Sequence, residues 1–157
     1  DEYQTASLSE RLAAARRCQN AGYRLGFHFD PIVEYPNWQV DYEQMLGQIF
    51  SNVDWRRIAW LSMGVLRVTP SLKRIIRTRF PKSRLLTGEQ VPCPDGKLRY
   101  FQPLRVDMYR KMLHWIRRAA PSVKVYLCME SKEVWEQVFG FAPSCEKELG
   151  NQMVPSF

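Results

Sequence analysis

An α/β fold built around a parallel sheet is the class this sequence predicts. Helical apolar periods alternate with four short apolar runs, each run ends at turn residues, and the one stretch that breaks the order reads as a β-hairpin. A strand–helix–strand unit crosses over right-handed, which leaves its strands parallel and covers the sheet with helices. Four strands cannot close an eight-stranded barrel of about 250 residues. The sheet is therefore small and open or part of something larger, and a helix ahead of the first strand favours the part.

The elements follow in order. Ser7-Leu8-Ser9-Glu10 fits a capping box, and Leu8, Leu12 and Ala15 recur at helical spacing, so the first helix runs from about 7 to 21 and ends at Gly22. Tyr23 to Phe29 is an apolar and aromatic run closed by Asp30-Pro31, as a buried strand would be. Val40, Met45, Leu46, Ile49 and Phe50 place a helix over 38–52, and Arg57 to Met63 is the second strand. Thr69-Pro70 is an N-cap followed by proline at the first helical position, opening a helix that reaches Phe80 and stops at Pro81. Arg84 to Thr87 is a short third strand. Leu104, Met108, Met112, Trp115, Ile116 and Ala119 stripe one face of a long helix, a spacing that core packing alone explains. Val123 to Met129 is a fourth strand of the continuous apolar kind, and Ser131 caps a last helix through Phe139.

Residues 88–101 intrude between the third strand and the long helix. Asp95-Gly96 is a hairpin turn signal, so this stretch is predicted to protrude from the strand ends. On its returning arm Lys97 and Arg99 alternate with Leu98 and Tyr100, which gives one cationic side and one side with a stacking ring.

Composition bounds the function. With 157 residues, 45% hydrophobic and 13% aromatic, the chain can bury one core, and a single domain over 1–157 is expected. No run approaches the roughly 18 apolar residues of a membrane span, and Asp1-Glu2-Tyr3-Gln4 does not open a signal peptide, so a cytoplasmic protein is expected. Cys18, Cys93, Cys128 and Cys145 share no metal-site spacing and read as free thiols; no metal and no cofactor are expected in this chain. The net charge of +7 recurs as doublets such as Arg56-Arg57, Lys73-Arg74 and Arg117-Arg118, which favours a polyanionic partner if the fold gathers them and is otherwise a solvated surface.

Parallel α/β sheets carry function at the C-terminal ends of their strands. Asp30, Ser62, Glu89 and Glu130 occupy those positions. Asp30 can bind a ribose or the amino group of a cofactor, or serve only the turn before Pro31. His28 alternates onto the same face, as a polar contact or a hydrogen-bonded core residue. Glu130 is a contact at the sheet mouth or a first-turn carboxylate favoured by the helix dipole. Arg67, Lys73, Arg74 and Arg77 form the densest basic group beside a strand end and are candidate phosphate contacts. Lys97, Arg99 and Tyr100 join them as candidate nucleic-acid contacts, cations for the backbone and a ring for a base.

Several blocks resemble a known family. Gly22-Tyr23-Arg24-Leu25-Gly26-Phe27-His28-Phe29-Asp30-Pro31-Ile32, with Trp38 and Tyr42 after it, is similar to a segment of spore photoproduct lyases and their broader relatives. The helix opened by Thr5-Ala6-Ser7-Leu8 matches as well. Trp60 to Arg67, Asp95 to Phe101, Pro103-Leu104-Arg105 and Val125 to Ser131 resemble the non-spore branch more than the spore enzymes. The match covers nearly the whole chain.

The resemblance implies the C-terminal part of a partial (β/α) barrel. In the parent, earlier strands would bind a four-iron four-sulfur cluster through a CxxxCxxC motif and hold S-adenosylmethionine. Cleavage of that cofactor would give a radical that takes hydrogen from a thymine dimer photoproduct and starts its reversal. His28 and Asp30 are the cofactor-side candidates here; Arg67, Lys73, Arg74, Arg77, Glu89, Lys97, Arg99, Tyr100 and Glu130 are the substrate-side ones. Where the family hairpin carries an Arg-Tyr pair ahead of its Gly-Lys, this sequence has Pro92 and Cys93.

Two readings result. One is the substrate-side half of a radical DNA-repair lyase, not catalytic alone, partnered by DNA and by the N-terminal half of the parent. The other is an α/β module that binds nucleic acid or protein without catalysis. In either, unpaired strand edges invite self-association.

Overall fold

Ser7 opens the first helix as the sequence predicts. In the computed structural model, which describes residues 4–144, α1 (Leu8–Asn20) is closed at its start by a full capping box. The Glu10 N–H donates to the Ser7 hydroxyl at 3.3 Å, and the Glu10 carboxylate accepts from the Ser7 N–H at 2.8 Å. At the other end, the buried Gln19 side chain exchanges two hydrogen bonds with the backbone of Asp54, 2.9 and 2.8 Å, and ties α1 to the loop before the second strand.

Three strands form the parallel sheet: β1 (Leu25–Ile32), β2 (Ile58–Val65) and a third from Val125 to Leu127, with β2 in the middle. β1 runs through Asp30-Pro31 rather than stopping there. It lies at the edge of the sheet, where a proline without an N–H costs no ladder bond, and the register shifts between Phe29 and Ile32. Leu61, Met63 and Val65 of β2 are buried in one core with Leu46 and Ile49 of α2 (Trp38–Asn52). Met108, Met112 and Ile116, from the long helix of Gln102–Ala119, complete it, with Leu104 and Trp115 packed against them; of the predicted stripe only Ala119, at the helix end, is exposed. Among the described residues the opposite face is left open, with His28 and Asp30 exposed.

The predicted third parallel strand does not form. Residues 84–87 are a turn, in which the Thr87 hydroxyl donates to the Arg84 carbonyl at 2.9 Å, and Leu85 and Leu86 pack on the core without a ladder. A second, antiparallel sheet stands there instead. It comprises β3 (Arg67–Val68), β4 (Gln90–Pro92) and β5 (Leu98–Tyr100), with β5 in the middle, and Arg67 pairs with Arg99. The hairpin is thus docked by β5 rather than free-standing. The Val125–Leu127 strand is accordingly β6, the long helix α4, and the last helix, Lys132–Phe139, α5. Between β3 and the turn lies α3 (Pro70–Arg79), capped by Thr69 as predicted; none of its ten residues is buried.

Candidate functional site

Sheet alternation sends Gly26, His28 and Asp30 of β1, Trp60, Ser62 and Gly64 of β2, and Tyr126 of β6 to the open face. The register sets them in rows, Gly26 beside Trp60 and His28 beside Ser62 beside Tyr126. Trp60 lies over Gly26, where a Cβ would fall 2.5 Å from the indole. The His28 ring stands edge-on to Trp60 at 4.7 Å, and Tyr126 flanks it at 5.8 Å. Beneath them the buried Ser62 hydroxyl shares a short hydrogen bond with His28 Nδ1. Ser62 therefore sits mid-strand and supports the histidine, rather than ending the strand as predicted.

Beyond this aromatic platform, at the strand ends, Asp30 accepts two hydrogen bonds from the Arg67 guanidinium at 3.1 and 2.9 Å. The pair lies across Gly64: a Cβ there would come within 2.9 Å of the carboxylate and 3.0 Å of Arg67 Nη1. Hydrogen bonding to Asp30 holds Arg67 more firmly protonated. Arg67 also reaches the Cys128 sulfur at 3.8 Å, and burial, with Asp30 nearby, pushes that thiol up. The two side chains keep 17% and 22% of their surface in water, so the pair remains accessible from the open face. Such a face can stack a flat apolar group and answer a zwitterion with one fixed charge of each sign.

Met129, in the left-handed region at φ 55°, turns the chain so that Cys128 and Glu130 part company. Glu130 is turned inward. Its side chain is 3% exposed and accepts from Arg105 at 3.2 and 3.3 Å and from the Tyr109 hydroxyl at 2.9 Å. That hydroxyl in turn accepts the Val65 N–H at 2.9 Å, and burial pushes it far above the usual tyrosine range. Arg105 also donates to the Tyr100 carbonyl at 2.7 Å. This buried knot joins the end of β2, the hairpin and α4, so its role is architectural.

The hairpin residues divide. Tyr100 has no exposed surface, and its hydroxyl accepts the Glu34 N–H at 3.1 Å, so it offers no ring to a base. Arg99, also buried, is held by Asp95 at 2.6 and 2.8 Å. Of the predicted trio Lys97 alone stays partly in water, 3.9 Å from Asp95. Glu89 is exposed in the loop before β4, away from any parallel strand end because the strand predicted there is a turn. The basic group splits as well: Arg67 turns inward to Asp30, while Arg74 and Arg77 lie exposed and Lys73 half-buried on α3.

Among the described residues no three His, Cys, Asp or Glu side chains gather to hold a metal. No helix there is long and apolar enough to cross a membrane. Sequence reasoning missed Trp60 and Tyr126 as site residues and Tyr109 as a hub. Two aromatic residues on alternating apolar strands carry a signal, but only the strand register shows that they meet His28.

The family model described as spore photoproduct lyase matches residues 1–100. A spore photoproduct lyase of Geobacillus sp. (strain Y412MC61) is 32% identical over 129 residues, 77% of this chain and 38% of that protein. Another, from Clostridium acetobutylicum, is 31% identical over 84 residues, 54% of this chain and 25% of that protein. A spore photoproduct lyase structure complexed with dinucleoside spore photoproduct superimposes with a TM-score of 0.67 at 28% identity, covering 80% of this chain and 39% of that one. A mutant with bound AdoMet and dinucleoside spore photoproduct gives 0.68 over the same shares. The chain thus spans no more than about two-fifths of the relatives it matches.

Proposed function

The chain belongs to the spore photoproduct lyase family, and from that premise we propose that it is the substrate-side part of a radical S-adenosylmethionine lyase that reverses a thymine dimer photoproduct in DNA. The observation that carries this reading is the open face, where the mid-strand Trp60–His28–Tyr126 platform leads to the Asp30–Arg67 pair at the C-terminal ends of the parallel strands. That is where parallel α/β enzymes keep their sites.

The described residues do not fit an iron–sulfur cluster. Their three thiols, Cys18, Cys93 and Cys128, are dispersed over separate elements, which supports the reading that the cluster is held by the rest of the parent. S-Adenosylmethionine does fit the open face. Asp30 answers an ammonium and Arg67 a carboxylate, while His28 and Trp60 offer polar and flat apolar contact. When bound, that cofactor supplies the radical chemistry that removes a hydrogen atom from the substrate. This chain's residues orient the reactants and exclude water. The exposed edge of β1 is the place for the parent's preceding strand to pair, and without that partner two copies pair edge to edge.

The test uses the full parent polypeptide with dinucleoside spore photoproduct, S-adenosylmethionine and an anaerobic reductant, followed by chromatography of the products. Release of repaired thymidines is expected, and His28→Ala and Asp30→Ala should weaken cofactor binding at equilibrium. Cofactor binding that both variants leave unchanged, or cofactor cleavage with no repair of the photoproduct, would overturn the assignment.

A further inference from the structure

From Arg67 to Gly88 there is no acidic residue and there are seven cations: Arg67, Lys73, Arg74, Arg77, Arg79, Lys82 and Arg84. The same stretch exposes apolar surface that its own fold does not bury. Leu72, Ile75 and Phe80 are 44%, 45% and 50% exposed. Where α3 ends, a cleft of about 410 Å³ opens, lined by Ile76, Arg79, Phe80, Lys82, Ser83 and Leu85. Its size lies in the range of small-ligand sites, about 300–1,000 Å³.

The cleft joins three features: an exposed aromatic ring, an aliphatic wall from Ile76 and Leu85, and two cations at the rim. Arg77 and Arg79 in the last turn offset the negative end of the helix dipole, so the rim remains favourable to an anion. A DNA duplex presents phosphates but keeps its base faces stacked, and would leave the ring and the aliphatic wall unused. An unpaired nucleotide satisfies all three, its base against Phe80 and its phosphates on Arg79 and Lys82. Arg67 of the Asp30 pair begins the chain segment that becomes α3.

We infer that the cleft at the end of α3 is a binding site for one unpaired nucleotide of the strand flanking the lesion, held by stacking on Phe80 and by phosphate contacts to Arg79 and Lys82. The inference rests on the reading that the protein acts on DNA.

The experiment is fluorescence anisotropy with the full chain, a labelled single-stranded oligonucleotide and its duplex, across a salt series. The wild type should favour the single strand. Phe80→Ala should weaken single-strand binding about 5- to 140-fold, the worth of one stacked base, and leave duplex binding within about twofold. Phe80→Trp should restore it. The Arg79→Ala/Lys82→Ala variant should lower the salt slope by about 1.4. Because all three side chains are exposed, thermal melting should not move. If DNA binds but Phe80→Ala is silent, the cleft is not a base site, while the DNA reading stands. If no oligonucleotide binds the wild type, both fail. If anionic phosphatidylserine vesicles bind instead and Phe80→Ala releases them, the surface faces a membrane and the inference falls.

Discussion

Replacing Glu130 with alanine should destabilise the fold rather than impair a binding site. Its carboxylate is 3% exposed and satisfies Arg105, itself 7% exposed, together with the Tyr109 hydroxyl. Removing one partner leaves the guanidinium charged and buried, which costs about 3–5 kcal/mol. That is a large part of a typical domain stability of about 5–15 kcal/mol. In urea, at an m-value of about 2 kcal/mol/M, the midpoint should drop by about 2 M. Glu130→Gln keeps the volume and one acceptor and should cost less, about 1.5–3 kcal/mol. Arg105→Met/Glu130→Leu, which removes both charges, should be less damaged than Glu130→Ala. The measurement is equilibrium urea unfolding followed by tryptophan fluorescence. If Glu130→Ala costs under about 1 kcal/mol and instead abolishes nucleic-acid binding, the carboxylate is a site residue and the architectural assignment is wrong.

Further outcomes are open to measurement. Burial pushes the Tyr100 hydroxyl up to about 12 from its ordinary 10.0, so the folded state holds its proton more tightly. Its contribution to stability is full below about pH 10 and fades as pH rises towards 12, and Tyr100→Phe should flatten the alkaline limb of an unfolding curve followed by circular dichroism. Asp95 runs the other way: its hydrogen bonds from Arg99 hold its carboxyl well below the usual range, so the hairpin should loosen as pH falls below about 4, and hydrogen exchange at 90–100 should show it. Arg99→Ala should reproduce that loosening at neutral pH without changing the salt slope of DNA binding, whereas Lys97→Ala should lower the slope by about one and leave stability alone. Gly26→Ala puts a Cβ 2.5 Å from the Trp60 ring and should displace it, changing the near-ultraviolet dichroism while the far-ultraviolet signal stays; an unchanged near-ultraviolet spectrum would show that the indole does not lie there.

Local signals were the legible ones. The Ser7–Glu10 box, the Thr69-Pro70 start and the stripe from Leu104 to Ala119 each act within a few residues, and each element stands where its signal lies. The apolar runs at 23–29, 57–63 and 123–129 likewise became the parallel strands, with ends shifted by a few residues. What failed was non-local. Leu85-Leu86 is apolar enough for a strand, but pairing needs a free edge, and the hairpin returns to Arg67-Val68 instead. Alternation along 97–100 correctly separated two faces, yet could not say that the face with Tyr100 enters the core or that Asp95 would capture Arg99. The Asp30–Arg67 pair spans 37 residues and the Arg105–Glu130 pair 25, separations at which composition carries no information about contact.

The acid-free stretch has a consequence for how the molecule would approach any polyanion. Of 23 Lys and Arg, seven lie between Arg67 and Arg84; the other sixteen balance the sixteen Asp and Glu of the remaining chain. The whole formal charge of +7 therefore belongs to one segment, and the rest of the molecule is formally neutral. Such an asymmetric body has a strong dipole as well as a net charge. A polyanion's field would rotate it during approach, turning α3 and the adjoining strand ends forward before contact. Collisions would then be productive more often than chance orientation allows, and this advantage would vanish as salt shortens the Debye length to about 8 Å at physiological strength.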